Sequence, residues 1–298
     1  MGVSDGVADL HMHTTASDGT CSVADRIQQA KARDLDAIAI TDHDTVADSL
    51  DGRVTQRGEV ELITGVEVRA DTLETKVELL GYYIDPTDSA LLDLLEQVRS
   101  YRRDRNREII DRLRDVTALD RSYREIRSEA DGILGRPHIA NVLVDAGIVD
   151  SVGAAFEQYL GADGTAFVPM ERVPAAELIP AIQAAGGVVS LAHPGRIRTE
   201  RVEAIVEELV GAGLDAIEVD YPYEEAPTEG YAGVDVEAAA ALAAEFDLLQ
   251  TGGSDCHGPD SGKFRIGDVR VRREHLTALR ERAGERRALS VTPDSRDP

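Results

Sequence analysis

The sequence predicts an α/β barrel that is interrupted by an all-helical insertion. Strand-like and helix-like segments alternate in the first and last parts of the chain, whereas the stretch from about Ser89 to Ala162 contains only helical patterns. Such alternation predicts parallel strands joined by helices. The length of 298 residues suits one large barrel with an inserted subdomain.

The first barrel segment, residues 1–88, carries apolar and β-branched runs that alternate with helical ones. The predicted strands are Val7–Thr14, Asp36–Thr41, Glu61–Arg69 and Lys76–Ile84, and the predicted helices are Val23–Arg33 and Val46–Arg57. Asp85-Pro86 is a turn pair and ends this segment.

Residues 89–170 form the predicted helical insertion. Its first apolar residues recur at the spacing of one helix face: Leu91, Leu94, Leu95 and Val98. A strongly charged helical run, Tyr101–Asp115, follows them.

The barrel pattern returns over residues 171–285. Its predicted helices are Pro174–Ala185, Glu200–Ala212, Val234–Glu245 and Glu274–Gly284, and its predicted strands are Gly187–Ala192, Asp215–Asp220, Leu248–Gly252 and Gly267–Arg272. The polar, proline-containing residues 286–298 are predicted to form a flexible tail.

The composition is acidic, with 56 Asp and Glu against 32 Lys and Arg and a formal net charge of -24. Such a surface indicates a salt-loving organism, because molar salt reduces the Debye length to about 3 Å and screens the repulsion between like charges. The charge argues against a broad nucleic-acid-binding face, which requires clustered cations. A short nucleotide in a local cationic pocket is compatible with it.

The two cysteines, Cys21 and Cys256, form no disulfide framework and no cysteine-based zinc motif. The sequence shows neither a signal-peptide pattern nor a run of about 18 apolar residues. A cytoplasmic protein without membrane association is therefore expected. No pattern indicates an oligomeric state.

Histidines and carboxylates cluster after the predicted strands. The clusters are His11-Met12-His13-Thr14 with Ser17-Asp18-Gly19, Thr41-Asp42-His43-Asp44-Thr45, Gly65-Val66-Glu67, Ala192-His193-Pro194-Gly195 and Ser254-Asp255-Cys256-His257-Gly258. Strand ends of an α/β barrel converge on one mouth, so these side chains are expected to meet there. His11 and His13, one residue apart on a strand, point to the same face.

Mixed imidazole and carboxylate donors suit divalent manganese, zinc or iron, and a carboxylate such as Glu67 can bridge two ions. Two ions held together can clamp a phosphoryl group and activate water. His275, in a charged stretch, is expected to have a structural or surface role. His138, within Arg136-Pro137-His138 of the insertion, is equally compatible with capping a helix and with contacting substrate.

The ordered motifs His-Met-His-Thr, Ser-Asp-Gly, Thr-Asp-His-Asp-Thr, Gly-Val-Glu-Val, Ala-His-Pro-Gly and Ser-Asp-Cys-His-Gly resemble the polymerase-and-histidinol-phosphatase (PHP) superfamily. The resemblance spans about Asp9 to Gly258. Within that superfamily, Gly-Arg-Pro-His in the insertion resembles the nucleoside 3',5'-bisphosphate phosphatase and RNase AM group. The implied fold is a distorted (β/α)7 barrel of PHP type.

The resemblance implies two or three divalent metal ions. His11, His13, Glu67 and Asp255 would hold the first ion, and Asp18, His43 and His257 would surround the second. Glu67 would bridge to a third ion with His193 among its ligands. Glu78 stands where relatives carry a histidine ligand of that third ion, so a carboxylate at this position favours a harder metal or a weak site.

In the implied mechanism, a hydroxide held by the metals attacks phosphorus while the ions neutralise charge on the oxygens. Asp44 would orient His43 or a bound water, and His193 belongs to the catalytic set. Arg136, His138 and Arg196 are the candidates for binding substrate phosphate, because a guanidinium pairs with phosphate in bidentate fashion. Cys256, between two ligands, is expected to be a buried small residue.

The resulting prediction is a metal-dependent phosphoesterase that acts on a small phosphorylated substrate. The favoured substrate is a nucleoside 3',5'-bisphosphate, with 5'-3' exoribonuclease activity on short RNA as a possible addition. Histidinol phosphatase activity and a non-catalytic PHP module that only binds metal are the alternatives.

Overall fold

The computed structural model describes residues 6–73, 75–129, 134–225, 230–261 and 266–289. The chain divides into two compact units, one formed by Met1–Leu95 with Val173–Pro298 and the other by Glu96–Arg172. The domain boundaries expected after residues 88 and 170 stay predictions. Most of the expected tail, residues 290–298, lies outside the described residues.

The first unit is built on a sheet that nearly closes into a barrel. Its strands are Gly6–Asp9 (β1), Ala37–Ile40 (β2), Val54–Arg57 (β3), Val60–Asp71 (β4), Lys76–Tyr82 (β5), Val173–Pro174 (β6), Val188–Leu191 (β7), Ala216–Asp220 (β8), Leu249–Gly252 (β9) and Val271–Arg272 (β10). The order around the sheet is β10-β1-β2-β4-β5-β7-β8-β9, with β3 and β6 both pairing with β4. The predicted fold class, a distorted (β/α)7 barrel with a helical insertion, is confirmed.

Parallel pairing prevails on both sides of one antiparallel hairpin. β1, β2 and β4 pair in parallel, as do β7, β8 and β9, whereas β5 runs antiparallel to both β4 and β7. The expectation of parallel strands is therefore wrong at β5, and also at β10, which runs antiparallel to β1. The connection between Asp71 and Lys76 is too short for a crossover, which needs about a dozen residues.

The helix predicted over Val46–Arg57 is also wrong. Residues 46–53 form an irregular loop with a turn at Asp48-Ser49, and β3 then pairs with β4 in antiparallel fashion, with Val54 opposite Ile63. Asp51-Gly52 and Gly58 bracket the β-branched pair Val54-Thr55, so turn chemistry and strand propensity outweigh the helical spacing of the apolar residues.

The barrel closes along a seam between the residues that follow β1 and those that follow β9. The amide of Leu10 donates to the carbonyl of Gly252 at 3.1 Å, and Met12 forms a parallel bridge with Cys256. Gly253 permits this approach, because a Cβ atom there would lie 2.3 Å from the backbone nitrogen of His11. The seam thus joins two ligand-bearing segments.

The helices of the barrel unit connect the strands and pack against them. They are Val23–Ala32 (α1), Ala175–Ala184 (α6), Val202–Gly211 (α7), Val236–Glu245 (α8) and Arg273–Arg286 (α9). A capping box starts α1, in which the Ser22 side chain accepts from the Asp25 amide and the Asp25 side chain accepts from the Ser22 amide. Inside the barrel, β1, β4, β5 and β7 contribute buried apolar side chains to one core cluster.

The second unit is all-helical in its described part. Ser89–Val116 (α2) runs into it, and Tyr123–Glu129 (α3), Arg136–Asp145 (α4) and Val152–Ala155 (α5) follow, with a π-helical turn at Phe156–Leu160. A separate apolar core holds these helices together and includes Ile109, Leu113, Ile139 and Leu143. Ser151 caps the short α5, and its hydroxyl accepts from the Ala154 amide.

Among the described helices, none has both the length and the apolar character needed to cross a membrane.

Candidate metal centre

The predicted metal ligands of the barrel unit converge at one end of the sheet. They come from segments after β1, β2, β7 and β9 and from the strands β4 and β5, and are His11, His13, Asp18, His43, Glu67, Glu78, His193, Asp255 and His257. Glu67 lies beyond the part of β4 that pairs with β2, and it forms an isolated bridge with His43. Strand ends therefore bring together donors that are far apart in sequence.

The first donor group surrounds the side chains of His11 and His13. The Nε2 atoms of His11 and His13 lie 3.4 and 3.3 Å from Oε2 of Glu67. The Oδ1 atom of Asp255 is 3.7 Å from His11 Nε2 and 3.3 Å from His13 Nε2. These four side chains are those that the family resemblance assigned to one ion.

The second donor group contains His13, Asp18, His43 and His257, and Nδ1 of His13 lies 3.8 Å from Oδ1 of Asp18. The Nε2 atom of His257 is 3.3 Å from Oδ1 of Asp18, and Nε2 of His43 is 3.9 Å from Oδ2 of Asp18. The Nδ1 atom of His43 approaches Oε2 of Glu67 to 3.0 Å. The second group is thus continuous with the first through Glu67.

The other oxygen of Glu67 faces a third group. Its Oε1 lies 3.1 Å from Nε2 of His193, and Oε2 of Glu78 lies 3.5 Å from the same nitrogen. Glu78 also forms a very short ion pair with Nε of Arg69 on β4. Burial alone would raise the pKa of Glu78, but the Arg69 guanidinium lowers it to about 2. Glu78 is therefore shared between an arginine and the donor cluster.

The donor atoms fit divalent metal ions. Over the described residues, His11 Nε2, His13 Nε2 and Glu67 Oε2 are buried and accept or donate no hydrogen bond. An unsatisfied buried polar group costs about 1–3 kcal/mol. A cation bound between these atoms would remove that cost. Imidazole nitrogens and carboxylate oxygens together match the preferences of manganese, zinc and iron.

The electrostatics of the cluster favour positive charge. Burial opposes protonation of His11, yet the carboxylates of Glu218 and Glu67 raise its pKa well above the usual value. For His13, burial likewise acts in the opposite direction, but the carboxylates of Asp255 and Glu67, each 3.3 Å from its Nε2, raise the pKa to about 9. Protons and metal ions compete for such nitrogens.

Glu218, on β8, is the most important residue that the sequence analysis missed. Its side chain is fully buried, its Oε1 lies 2.9 Å from Nδ1 of His11, and its Oε2 accepts from the backbone amide of His193 at 2.7 Å. A carboxylate on the far nitrogen of a ligating histidine fixes the ring and its tautomer. A buried glutamate in the apolar run Ala216–Val219 was the available signal.

Other buried polar residues hold the ligand loops. Asp42 accepts from the amide and the hydroxyl of Thr14, at 2.7 and 2.6 Å. The guanidinium of Arg26 is buried and donates to the carbonyl oxygens of His13 and Cys256 at 2.7 and 3.0 Å. The thiol of Cys256 is buried, and Nη1 of Arg26 contacts its sulfur at 3.2 Å. The expectation of a small buried residue at this position agrees with its burial.

Three of the six described residues other than glycine with positive φ lie at the same site. Asp44, His193 and Asp255 have φ angles of 54°, 27° and 50°. Positive φ in residues other than glycine is uncommon and is often retained at functional sites. The amide of Asp44 donates to the carbonyl of Glu67 at 2.8 Å, which places Asp44 beside the centre. Its role in orienting His43 or a water stays a prediction.

The candidate phosphate-binding residues lie in both units. Arg196, in the barrel unit, donates from Nη1 to the hydroxyl of Tyr221 at 2.9 Å, and that hydroxyl donates to Oδ2 of Asp255 at 3.0 Å. In the helical unit, Nδ1 of His138 accepts from the Gly135 amide at 3.0 Å and so caps α4, while Nη1 of Arg136 donates to the carbonyl of Leu160 at 3.1 Å. Contact of these three residues with substrate stays a prediction.

A family model named PHP domain matches residues 9–98. A 5'-3' exoribonuclease of Haemophilus influenzae is 33% identical over 254 residues, which cover 84% of this chain and 90% of the relative. The chain belongs to the PHP family. A 3',5'-nucleoside bisphosphate phosphatase of Chromobacterium violaceum is 28% identical, with 87% of this chain and 90% of the relative covered.

Solved structures of PHP-type proteins agree with this membership. A metal-dependent phosphoesterase of Bifidobacterium adolescentis superposes with a TM-score of 0.74 at 27% identity, covering 93% of this chain and 96% of that one. An amidohydrolase of Chromobacterium violaceum, with bound sulfate and no metal, superposes with a TM-score of 0.75 at 26% identity, covering 92% and 96%. The chain is thus a hydrolase of the PHP metal-dependent phosphoesterase type, and its donor clusters agree with metal binding.

Proposed function

We propose that this PHP protein removes the 3'-phosphate from nucleoside 3',5'-bisphosphates and also degrades short 5'-phosphorylated RNA from its 5' end. The observation that carries the proposal is the position of Glu67, whose two oxygens face different histidines. A carboxylate in that position can bridge neighbouring ions. The names of the similar proteins support a nucleotide or RNA substrate.

The residues assigned to each ion follow from the donor groups. Following the family resemblance, one ion would be held by His11, His13, Glu67 and Asp255 and a second by Asp18, His43 and His257. A third would be held by Glu67, Glu78 and His193, because an oxygen of each carboxylate lies within 3.5 Å of Nε2 of His193. When bound, ions of manganese, zinc or iron supply Lewis acidity that neutralises charge on the phosphoryl oxygens and activates water.

The chain's own residues would bind and orient the substrate around this centre. Arg196 is held by the Tyr221 hydroxyl, so its guanidinium is oriented before a phosphate arrives. Asp44 would orient His43 or the attacking water, and Glu218 would orient His11. Arg136 and His138, in the helical unit, stay candidates for binding a substrate phosphate.

Phosphate release tests the proposal directly. The protein, supplied with manganese in high salt, would be assayed on adenosine 3',5'-bisphosphate, AMP, histidinol phosphate and a short 5'-phosphorylated RNA, with metal content measured on the same sample. We expect preferential release from the bisphosphate and stepwise shortening of the RNA. Preference for histidinol phosphate would reject the proposed substrate in favour of histidinol phosphatase activity. Bound metal without turnover of any substrate would favour the non-catalytic alternative.

A further inference from the structure

A cavity of about 200 Å³ lies beside the third donor group and is bounded by residues of the barrel unit. Two of its lining residues, Glu78 and His193, belong to the donor cluster. The cavity therefore adjoins the proposed position of the scissile phosphate. A substrate bound at that position could place another of its chemical groups in the cavity.

The wall of this cavity is rich in cations. Among the lining residues that the structure describes, Arg69, Lys76 and Arg196 carry positive charge and Glu78 carries the one carboxylate. The chain contains only three lysines, so the position of Lys76 contrasts with an overall net charge of -24. A local cluster of positive charge in an acidic protein attracts anions that the rest of the surface repels.

The strands fix where these cations stand. Arg69 lies directly opposite Glu78 in the antiparallel pair of β4 and β5, and Lys76 begins β5 opposite Asp71. Arg69 contacts Glu78 through Nε, which keeps the guanidinium at the wall of the cavity. Arg196 follows His193 by one short turn and is oriented by Tyr221. The three cations are therefore carried by separate elements with defined backbone positions.

The cavity also has an aromatic wall. Tyr231 lines it, and the guanidinium of Arg198 lies 5.0 Å from the centroid of the Tyr231 ring. Aromatic faces beside cations are typical of sites that take a nucleotide, whose base or sugar stacks while its phosphate is paired. The combination favours a phosphate that carries a nucleoside over a simple inorganic anion.

Building on the proposed function, we propose that Arg69, Lys76 and Arg196 form a subsite for the second phosphate of the substrate. With the 3'-phosphate at the donor cluster, the subsite would hold the 5'-phosphate on the other side of the ribose. The subsite would thereby select bisphosphates over monophosphates.

The test compares Lys76→Glu with Lys31→Glu, which makes the same charge change in the last turn of α1. Both variants would be assayed in the manganese-loaded protein on adenosine 3',5'-bisphosphate and adenosine 3'-monophosphate. Lys76 is exposed, so we expect kcat/KM on the bisphosphate to fall about tenfold in Lys76→Glu, with the monophosphate changed by less than about twofold. Lys31→Glu should match the wild type on both substrates.

A binding measurement separates this inference from the proposed function. Calorimetric titration with adenosine 5'-monophosphate should show about tenfold weaker binding in Lys76→Glu and no change in Lys31→Glu. If the wild type hydrolyses no bisphosphate but this difference persists, the proposed function fails and the subsite stands. Equal losses on both substrates, equal behaviour of the two variants, or unchanged binding would overturn the subsite.

Discussion

Replacement of Glu218 by glutamine tests whether the Glu218 carboxylate sets the tautomer in which His11 binds metal. A carboxylate can only accept hydrogen bonds, so the proton between Oε1 of Glu218 and the ring of His11 belongs to Nδ1. Nε2, which faces Glu67 and Asp255, is then the nitrogen that can bind a metal ion once it gives up its proton. Glutamine has nearly the same shape as glutamate but carries two donor hydrogens on one of its terminal atoms.

Either orientation of the glutamine amide disturbs the site. If its oxygen accepts from the His193 amide, its nitrogen faces Nδ1 of His11 and stabilises the tautomer with a proton on Nε2. If the amide is reversed, its nitrogen opposes the His193 amide and two buried donors meet. An unsatisfied buried donor costs about 1–3 kcal/mol, which corresponds to about a 10- to 100-fold loss of metal affinity.

Manganese affinity of Glu218→Gln would be measured by titrating the chelator-treated protein and following the electron paramagnetic resonance signal of free ion. Asp215→Asn is the matched control, because Asp215 immediately precedes the same strand but does not belong to the donor cluster. Its carboxylate accepts a hydrogen bond of 3.0 Å from the Val189 amide. We expect wild-type affinity in the control and weakened affinity in Glu218→Gln. Unchanged affinity in Glu218→Gln, with intact circular dichroism, would refute the tautomer argument.

Other perturbations address the donor cluster and the barrel seam. His43→Ala should abolish phosphatase activity without unfolding the protein, whereas His275→Ala on α9 should retain it; full turnover in His43→Ala would reject His43 as a ligand. Removing metal with a chelator should lower the melting temperature measured by calorimetry, because ion at about 100 times its Kd stabilises the fold by about 2.7 kcal/mol. Gly253→Ala should lower the free energy of unfolding by about 1–3 kcal/mol in urea titrations. Gly284→Ala, which has open space around its position, should not destabilise the protein. Equal stability of the two variants would argue against close packing at the seam.

The strand-end placement of the histidines could be predicted from sequence because it depends on local patterns. His11, His43 and His193 each follow a short apolar run, and the convergence of strand ends in a barrel supplies the rest. The same reasoning led to Glu67 and Asp255, which the structure brings within 3.0–3.7 Å of histidine nitrogens. Their roles as ligands stay predictions.

Features that depend on pairing between distant segments could not be predicted in this way. The antiparallel β5 is set by a short connection, and its ion pair with Arg69 depends on the register of β4 and β5. The contact of Glu218 with His11 joins residues 207 positions apart. Single-sequence periodicity carries no information on such registers. The helix expected at Val46–Arg57 failed because turn residues outweighed apolar spacing.

The proposed first ion would connect the two sides of the barrel seam. His11 and His13 lie on one side of the seam and Asp255 on the other, so an ion bound by all three would connect the segment after β1 with the segment after β9. Loss of the ion should first weaken the hydrogen bonds that the backbone amides of Leu10 and His13 donate across the seam. Hydrogen–deuterium exchange of these two amides would report whether the ion holds the seam together, independently of any substrate.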